Sequence, residues 1–182
     1  MPVLTAVVVL IGLIGALNLV LMLGVIKRLR EHAELIGRGA GRGAAPTLDV
    51  GEPVGAFTVT TVDGDTVDTD HLAVGALIGF FSPRCRPCRE KLPDFVRHAG
   101  TVPGGRRRVL AVVVGDEEEA AADVAALEGV ARVVREPEDG PLGTAFRTRA
   151  YPTVLRVAAG SDGRVRVTDN HVDLTHPAEV TA

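Results

Sequence analysis

The chain of 182 residues has room for one domain of ordinary size and an appendage. Apolar residues make up 46% of it, which suits a folded chain, and aromatics only 3%, so the core is expected mainly from Val, Leu, Ile and Ala. Twenty Lys and Arg against 23 Asp and Glu give a net charge of −3, without the basic excess of a general nucleic-acid binder, and two cysteines exclude a multi-disulfide scaffold and a four-Cys zinc module.

Val3 to Ile26 carries no charged side chain. As a helix it would reach about 36 Å, enough to cross a hydrocarbon layer of about 30 Å with some tilt. A core helix is seldom apolar all round over such a length in a small domain. A cleaved signal peptide would have a charged start, a shorter apolar run and a small-residue cleavage site. Residues 3–26 are therefore expected to form a transmembrane anchor. Lys27, Arg28, Arg30, Arg38 and Arg42 all follow the span, and this bias taken alone places the remainder in the cytoplasm. Gly37 to Gly43 is Gly-rich and breaks any helix, so residues 27–47 read as a juxtamembrane and flexible linker.

Residues 48–182 are expected to form one domain. Phe57 to Thr60 alternates and meets Asp63-Gly64, a hairpin signal, before Thr66-Val67. Ala76 to Phe81 and Val109 to Val114 are continuous apolar runs of the kind found in buried strands. Arg86 to His98 and Asp116 to Leu127 read as helices, with the acids of 116–119 suited to a first turn. Ala131 to Val134 reads as a short strand and Pro141 to Thr148 as a short helix. Val154 to Ala158 and Val165 to Val167 pair about Ser161-Asp162-Gly163. Strands alternating with helices and a closing hairpin predict an α/β domain with a mixed central sheet flanked by helices.

Both cysteines fall in Cys85-Arg86-Pro87-Cys88, directly after a predicted buried strand and at the start of a predicted helix. Two sulfurs three residues apart at a helix start can close a disulfide within one turn. The N-terminal N–H groups and the positive dipole end stabilise a thiolate, and Arg84, Arg86 and Arg89 are placed to add to that field. Cys85 is the expected nucleophile and Cys88, one turn in, the resolving thiol. Pro87 restricts the turn between them. A structural disulfide would more often close a long loop. A c-type haem site needs His where Arg89 stands. Zinc would need further ligands, of which His71 and His98 are the obvious ones, and copper would favour methionines that the domain lacks. Pro93 falls inside the predicted helix and is expected to kink it. Tyr151-Pro152-Thr153 precedes a strand, and Pro152 is a candidate for a cis peptide.

Ser82-Pro83-Arg84-Cys85-Arg86-Pro87-Cys88, Pro93 and Tyr151-Pro152-Thr153 together resemble the thioredoxin superfamily. The Phe57…Asp63-Gly64…Val67 hairpin resembles its TlpA-type branch. The anchor, the tether and Phe80-Phe81-Ser82-Pro83 are similar to the membrane-anchored thioredoxin-like proteins of methylamine-dehydrogenase maturation. The resemblance covers residues 50–168. Arg84, Arg86, Pro87, Pro93 and Tyr151 are expected in supporting roles, and the resemblance implies a thioredoxin-like fold and a catalytic set of Cys85, Cys88 and cis Pro152. A separate electron donor or acceptor, no bound cofactor and no metal are expected, and the resemblance further implies thiol–disulfide exchange with protein dithiols or disulfides. It places the soluble domain outside the bacterial cytoplasmic membrane, against the charge bias. Departures are Arg84 where a Trp often stands, Gly79 where many thioredoxins carry a buried acid, and Lys91 where TlpA-type proteins carry a glutamate. The other readings are an assembly module that holds an enzyme during maturation and a peroxiredoxin-like peroxidase, the latter suggested by Ser82 three residues before Cys85.

Overall fold

A computed structural model describes residues 47–72 and 74–176, and Gly12 alone of the segment before them. The expected span at 3–26, nearly all of the linker and residues 177–182 lie outside the described residues. Among the described residues no helix is long and apolar enough to cross a membrane. The chain divides between Ala45 and Pro46, and the fold below is that of the second unit.

A five-stranded sheet runs in the order β5-β4-β3-β6-β7. Its strands are β3 (Ala76–Phe81), β4 (Val109–Val114), β5 (Arg132–Glu136), β6 (Thr153–Ala159) and β7 (Val165–Asp169). β3, β4 and β5 are parallel, whereas β6 is antiparallel to β3 and β7 to β6. β1 (Thr58–Thr60) and β2 (Thr66–Asp68) form a separate antiparallel hairpin, turned at Gly64 with φ +89°. A positive φ of that kind suits glycine, the residue that follows Asp63 in the sequence.

The apolar runs become central strands because both faces of the sheet are covered. Ala76, Ile78 and Phe80 of β3 join Leu110, Val112 and Val114 of β4 on one face, with the hairpin residues Val59 and Val67 and with Leu142 and Phe146. Leu77 and Phe81 join Val109, Ala111 and Val113 on the other, under α1 (Arg86–Ala99) and α2 (Glu117–Leu127). Scarce aromatics are used at the centres of these layers. Phe80 meets Phe146 edge-on with centroids 5.5 Å apart, and Phe81 meets Phe95 in the same way at 4.9 Å. Such pairs add about 0.5–1.5 kcal/mol each beyond the area they bury.

Both outer strands have partners beyond the sheet. Val62 N–H donates to the Val133 carbonyl of β5, and residues 51–54 exchange hydrogen bonds with Val165 and Val167 of β7. Exposed strand edges invite aggregation, and these contacts cover them. At the far end of the chain Leu174 is buried in the cluster beneath α1, and the His176 carbonyl accepts a 2.7 Å bond from His98 Nδ1.

Local chemistry sets the ends of the helices. α1 begins at the cap residue Cys85, carries Pro87 in its first turn, where no helical N–H is lost, and ends with Arg97 and His98 near its negative pole. It runs uninterrupted through Pro93, which lies on the exposed side. α2 starts one residue later than the charge pattern predicts, because Asp116 acts as its cap and accepts from Glu119 N–H. The short α3 (Pro141–Ala145) ends three residues before the predicted Thr148. A 3-10 turn at Gly105–Arg108, entered through Gly104 at φ +91°, was not expected from the sequence.

Candidate active site

Register puts the pieces together. β3 ends at Phe81, and the chain turns through Ser82-Pro83-Arg84 into the first turn of α1. Phe80 pairs with Thr153 across the antiparallel ladder, so Pro152 comes alongside the end of β3. The Tyr151–Pro152 peptide is cis. Thr153 Oγ1 donates to the Ala150 carbonyl at 2.7 Å and fixes the loop. Two segments 66 residues apart in sequence thereby meet at Cys85, whose thiol donates to the Tyr151 carbonyl at 3.3 Å.

The two cysteines are reduced and unequal. Cys85 is half-buried and Cys88 is 1% exposed. Cys85 occupies the N-cap position with extended backbone, and its sulfur accepts the Cys88 N–H at 3.3 Å. A cap side chain normally takes an N–H that the helix leaves unpaired. Here that acceptor is the sulfur itself, and negative charge on it would meet an N–H donor and the positive end of a 14-residue helix. Burial pushes the Cys88 thiol up to about 12, helped by its hydrogen bond with Cys85 and opposed by a backbone bond at Ser82. At neutral pH Cys88 is thus a protonated thiol beneath a more accessible partner.

The arginines are less available than the sequence implied. Arg84 Nε and a terminal nitrogen both reach Glu119 Oε2 at 2.8 Å, with Asp116 at 3.9 Å. Arg86 pairs with Glu90 at 3.1 Å, and Arg89 donates to the Pro83 carbonyl. Acids compensate the charges of Arg84 and Arg86, so the helix end carries more of the local positive field than the side chains do. Arg84 also walls a cavity of about 590 Å³ at the carboxyl ends of β3, β4 and β5, together with Ser82, Asp116, Arg135 and Glu136.

Pro87 and Tyr151 lie where the sequence placed them, in the turn between the sulfurs and beside Pro152, and Tyr151 packs against both core layers. Pro93 lies two turns down α1 on its exposed face, away from the sulfurs. His71 is exposed and bonded to Asp68, and His98 is buried at the far end of α1. Among the described residues no three His, Cys, Asp or Glu side chains converge as a metal site.

Two acids near the site escaped sequence reasoning. Glu136, 4% exposed, ends β5 and accepts from Leu142 N–H at 2.9 Å and Gly143 N–H at 2.7 Å. Burial raises its carboxyl above the ordinary value, against the lowering effect of those two bonds. Asp123 on α2 is half-buried and likewise raised by burial, with Arg89 opposing. A helical face count would have placed Asp123 inward, three residues from Ala120 and four from Leu127.

Comparison with solved structures places this architecture. The thioredoxin domain of a thiol-disulfide oxidoreductase from Bacteroides vulgatus superimposes with a TM-score of 0.53 at 14% identity, over 69% of this chain and 89% of that one. A thiol:disulfide interchange protein from a Bacteroides species gives 0.52 at 14% identity, over 69% and 83%. A candidate thioredoxin from Neisseria meningitidis gives 0.50 at 26% identity, over 66% and 79%. The fold is thioredoxin-like. No family model matches the sequence, and no curated protein matches it significantly.

Proposed function

We propose that this chain is a membrane-tethered thiol–disulfide oxidoreductase that exchanges disulfides with protein clients through Cys85 and Cys88. The observation that carries the reading is the asymmetry of the pair: a half-buried sulfur at a helix N-cap, next to the Pro152 loop, over a buried thiol one turn below. Cys85 attacks a client disulfide and forms a mixed disulfide; Cys88 then attacks Cys85 and releases the client as a thiol. The reverse sequence oxidises a client dithiol. The thioredoxin-like fold and the neighbours described as oxidoreductases support the class. The 590 Å³ cavity walled by Ser82 and Arg84, the residues that lead into Cys85, offers room for a client segment. Direct trapping tests the reading. Cys88→Ser should accumulate a mixed disulfide with a disulfide-bonded test protein, visible on a non-reducing gel, and Cys85→Ser should form none and lose turnover. Client maturation that persists in Cys85→Ser would favour the assembly-module reading instead.

The tether rests on the uncharged run Val3 to Ile26, and the outer face of the cytoplasmic membrane on the resemblance of the domain. A membrane-impermeant maleimide, applied to intact cells after mild reduction, can reach only Cys85 and Cys88. Labelling of intact cells is the expected result. Labelling only after lysis would put the domain in the cytoplasm, as the charge bias does.

A further inference from the structure

A buried Cys88 thiol must lose its proton before it can attack, and neither the two positions where the resembled proteins carry an acid nor the acids of α1 offer an available carboxylate. Gly79 faces the rings of Phe81 and Phe95, and a Cβ there would stand 2.7 Å from both. Lys91 is a cation on the exposed side of α1. Glu90 is paired with Arg86, and Asp94 with Arg97 at 2.5 Å.

Asp123 is placed differently. It shares the inward stripe of α2 with Ala120 and Leu127, both fully buried in the cluster that also contains Cys88. α2 packs on α1 across that cluster. The carboxyl is half-buried and makes no hydrogen bond or ion pair among the described residues, in contrast to Glu90, Asp94 and Glu119. The charged and titratable groups of α1 that act there are Arg89, which follows Cys88, and Cys88 itself, whose thiol feels the Asp123 charge. Cys85 acts on Cys88 from above. A free carboxylate in this position is a base without another structural employment.

We propose that Asp123 is the proton acceptor and donor for Cys88 in the second step of exchange; the inference rests on the oxidoreductase reading above. In the mixed disulfide, the Asp123 carboxylate takes the Cys88 S–H proton. Cys88 Sγ then bonds to Cys85 Sγ, and the bond from Cys85 to the client sulfur breaks. The client sulfur leaves with the electron pair and takes a proton from solvent, while Asp123 returns its proton to solvent. Two electrons have passed from the protein dithiol to the client disulfide. In the opposite direction the Asp123 carboxylic acid protonates Cys88 as it leaves.

The test mixes the reduced full-length chain, in detergent, with one equivalent of dithiobis(nitrobenzoate) and follows nitrothiolate absorbance. Attack by Cys85 releases one nitrothiolate and attack by Cys88 the second. Asp123→Asn should leave the first release unchanged and slow the second about 100-fold at pH 7, the scale of general base catalysis. The wild-type second step should level off once Asp123 is ionised, whereas the variant's should keep rising with pH because only hydroxide removes the proton. A second release in Asp123→Asn with wild-type rate and pH profile overturns the proposal. If Asp123→Asn is misfolded, Asp123→Ala is read for acceleration of the second release by added formate, which a merely structural side chain would not give; no acceleration overturns the proposal. A wild type with no second release overturns the oxidoreductase reading, and this inference with it, before any variant is made.

Discussion

At the scale of the residue, Cys85 and Gly79 carry the most information. Cys85 is at once helix cap, hydrogen-bond acceptor and half-buried thiol, so the backbone that positions it also sets the surroundings of its sulfur. Gly79 shows why a buried acid is absent from the middle of β3. The space beside it is filled by the edge-to-face pair of Phe81 and Phe95, both fully buried. Gly79→Asp would force those rings apart and bury a carboxylate against carbon. It should therefore destabilise the domain by about 3 kcal/mol or more, through overpacking and desolvation together. Urea unfolding of the variant checks this, and an unchanged midpoint would mean that the ring pair yields freely. The motif Cys85-x-x-Cys88 was legible because its chemistry is local. The pairing of Arg84 with Glu119 was not, because it joins residues 35 apart that only the folded chain brings together.

At the scale of the element, the turn from β5 into α3 depends on one side chain. Both carboxylate oxygens of Glu136 take up buried N–H groups of α3, and Gly140 passes so close that its Cβ would fall 2.4 Å from the Glu136 carboxyl carbon. Glu136→Ala would leave two buried donors without a partner and should cost about 2–4 kcal/mol. The pH dependence has a definite sign. A carboxyl raised in the folded state holds its proton more tightly there than in the unfolded chain, where its ordinary value is 4.5. Its contribution is complete below 4.5 and falls as pH rises through the interval up to the folded value. The cost of Glu136→Ala should therefore be larger at pH 4 than at pH 7. Asp68, Glu52 and Asp162, held below their ordinary values by hydrogen bonds, slope the other way in wild type and variant alike. Taking the difference between the two proteins removes them. A cost that grows toward pH 7 would contradict this account of Glu136. β3 and β4 were readable as buried strands because short unbroken apolar runs, too short for a core helix, suit a sheet covered on both faces. The role of Glu136 was not readable, since a lone acid after a strand usually faces solvent.

At the scale of the whole molecule, the domain brings a helix N-terminus, two sulfurs and the Pro152 loop to one end of a mixed sheet. The alternation of elements predicted the layers. The strand order, with β3 between β4 and β6, required the register that only the folded chain supplies. The same holds for Leu174, which a short polar tail did not single out as core. The central claim is that Cys85 and Cys88 are a redox couple, and its most direct measurement is the reduction potential. The full-length chain is equilibrated in thiol/disulfide buffers of graded potential, quenched with an alkylating reagent and weighed. The account predicts a reversible disulfide between Cys85 and Cys88. A potential near about −270 mV would mark a reductant and one near about −120 mV an oxidant. Two thiols that remain free or couple only to the buffer thiol across that range would contradict the claim.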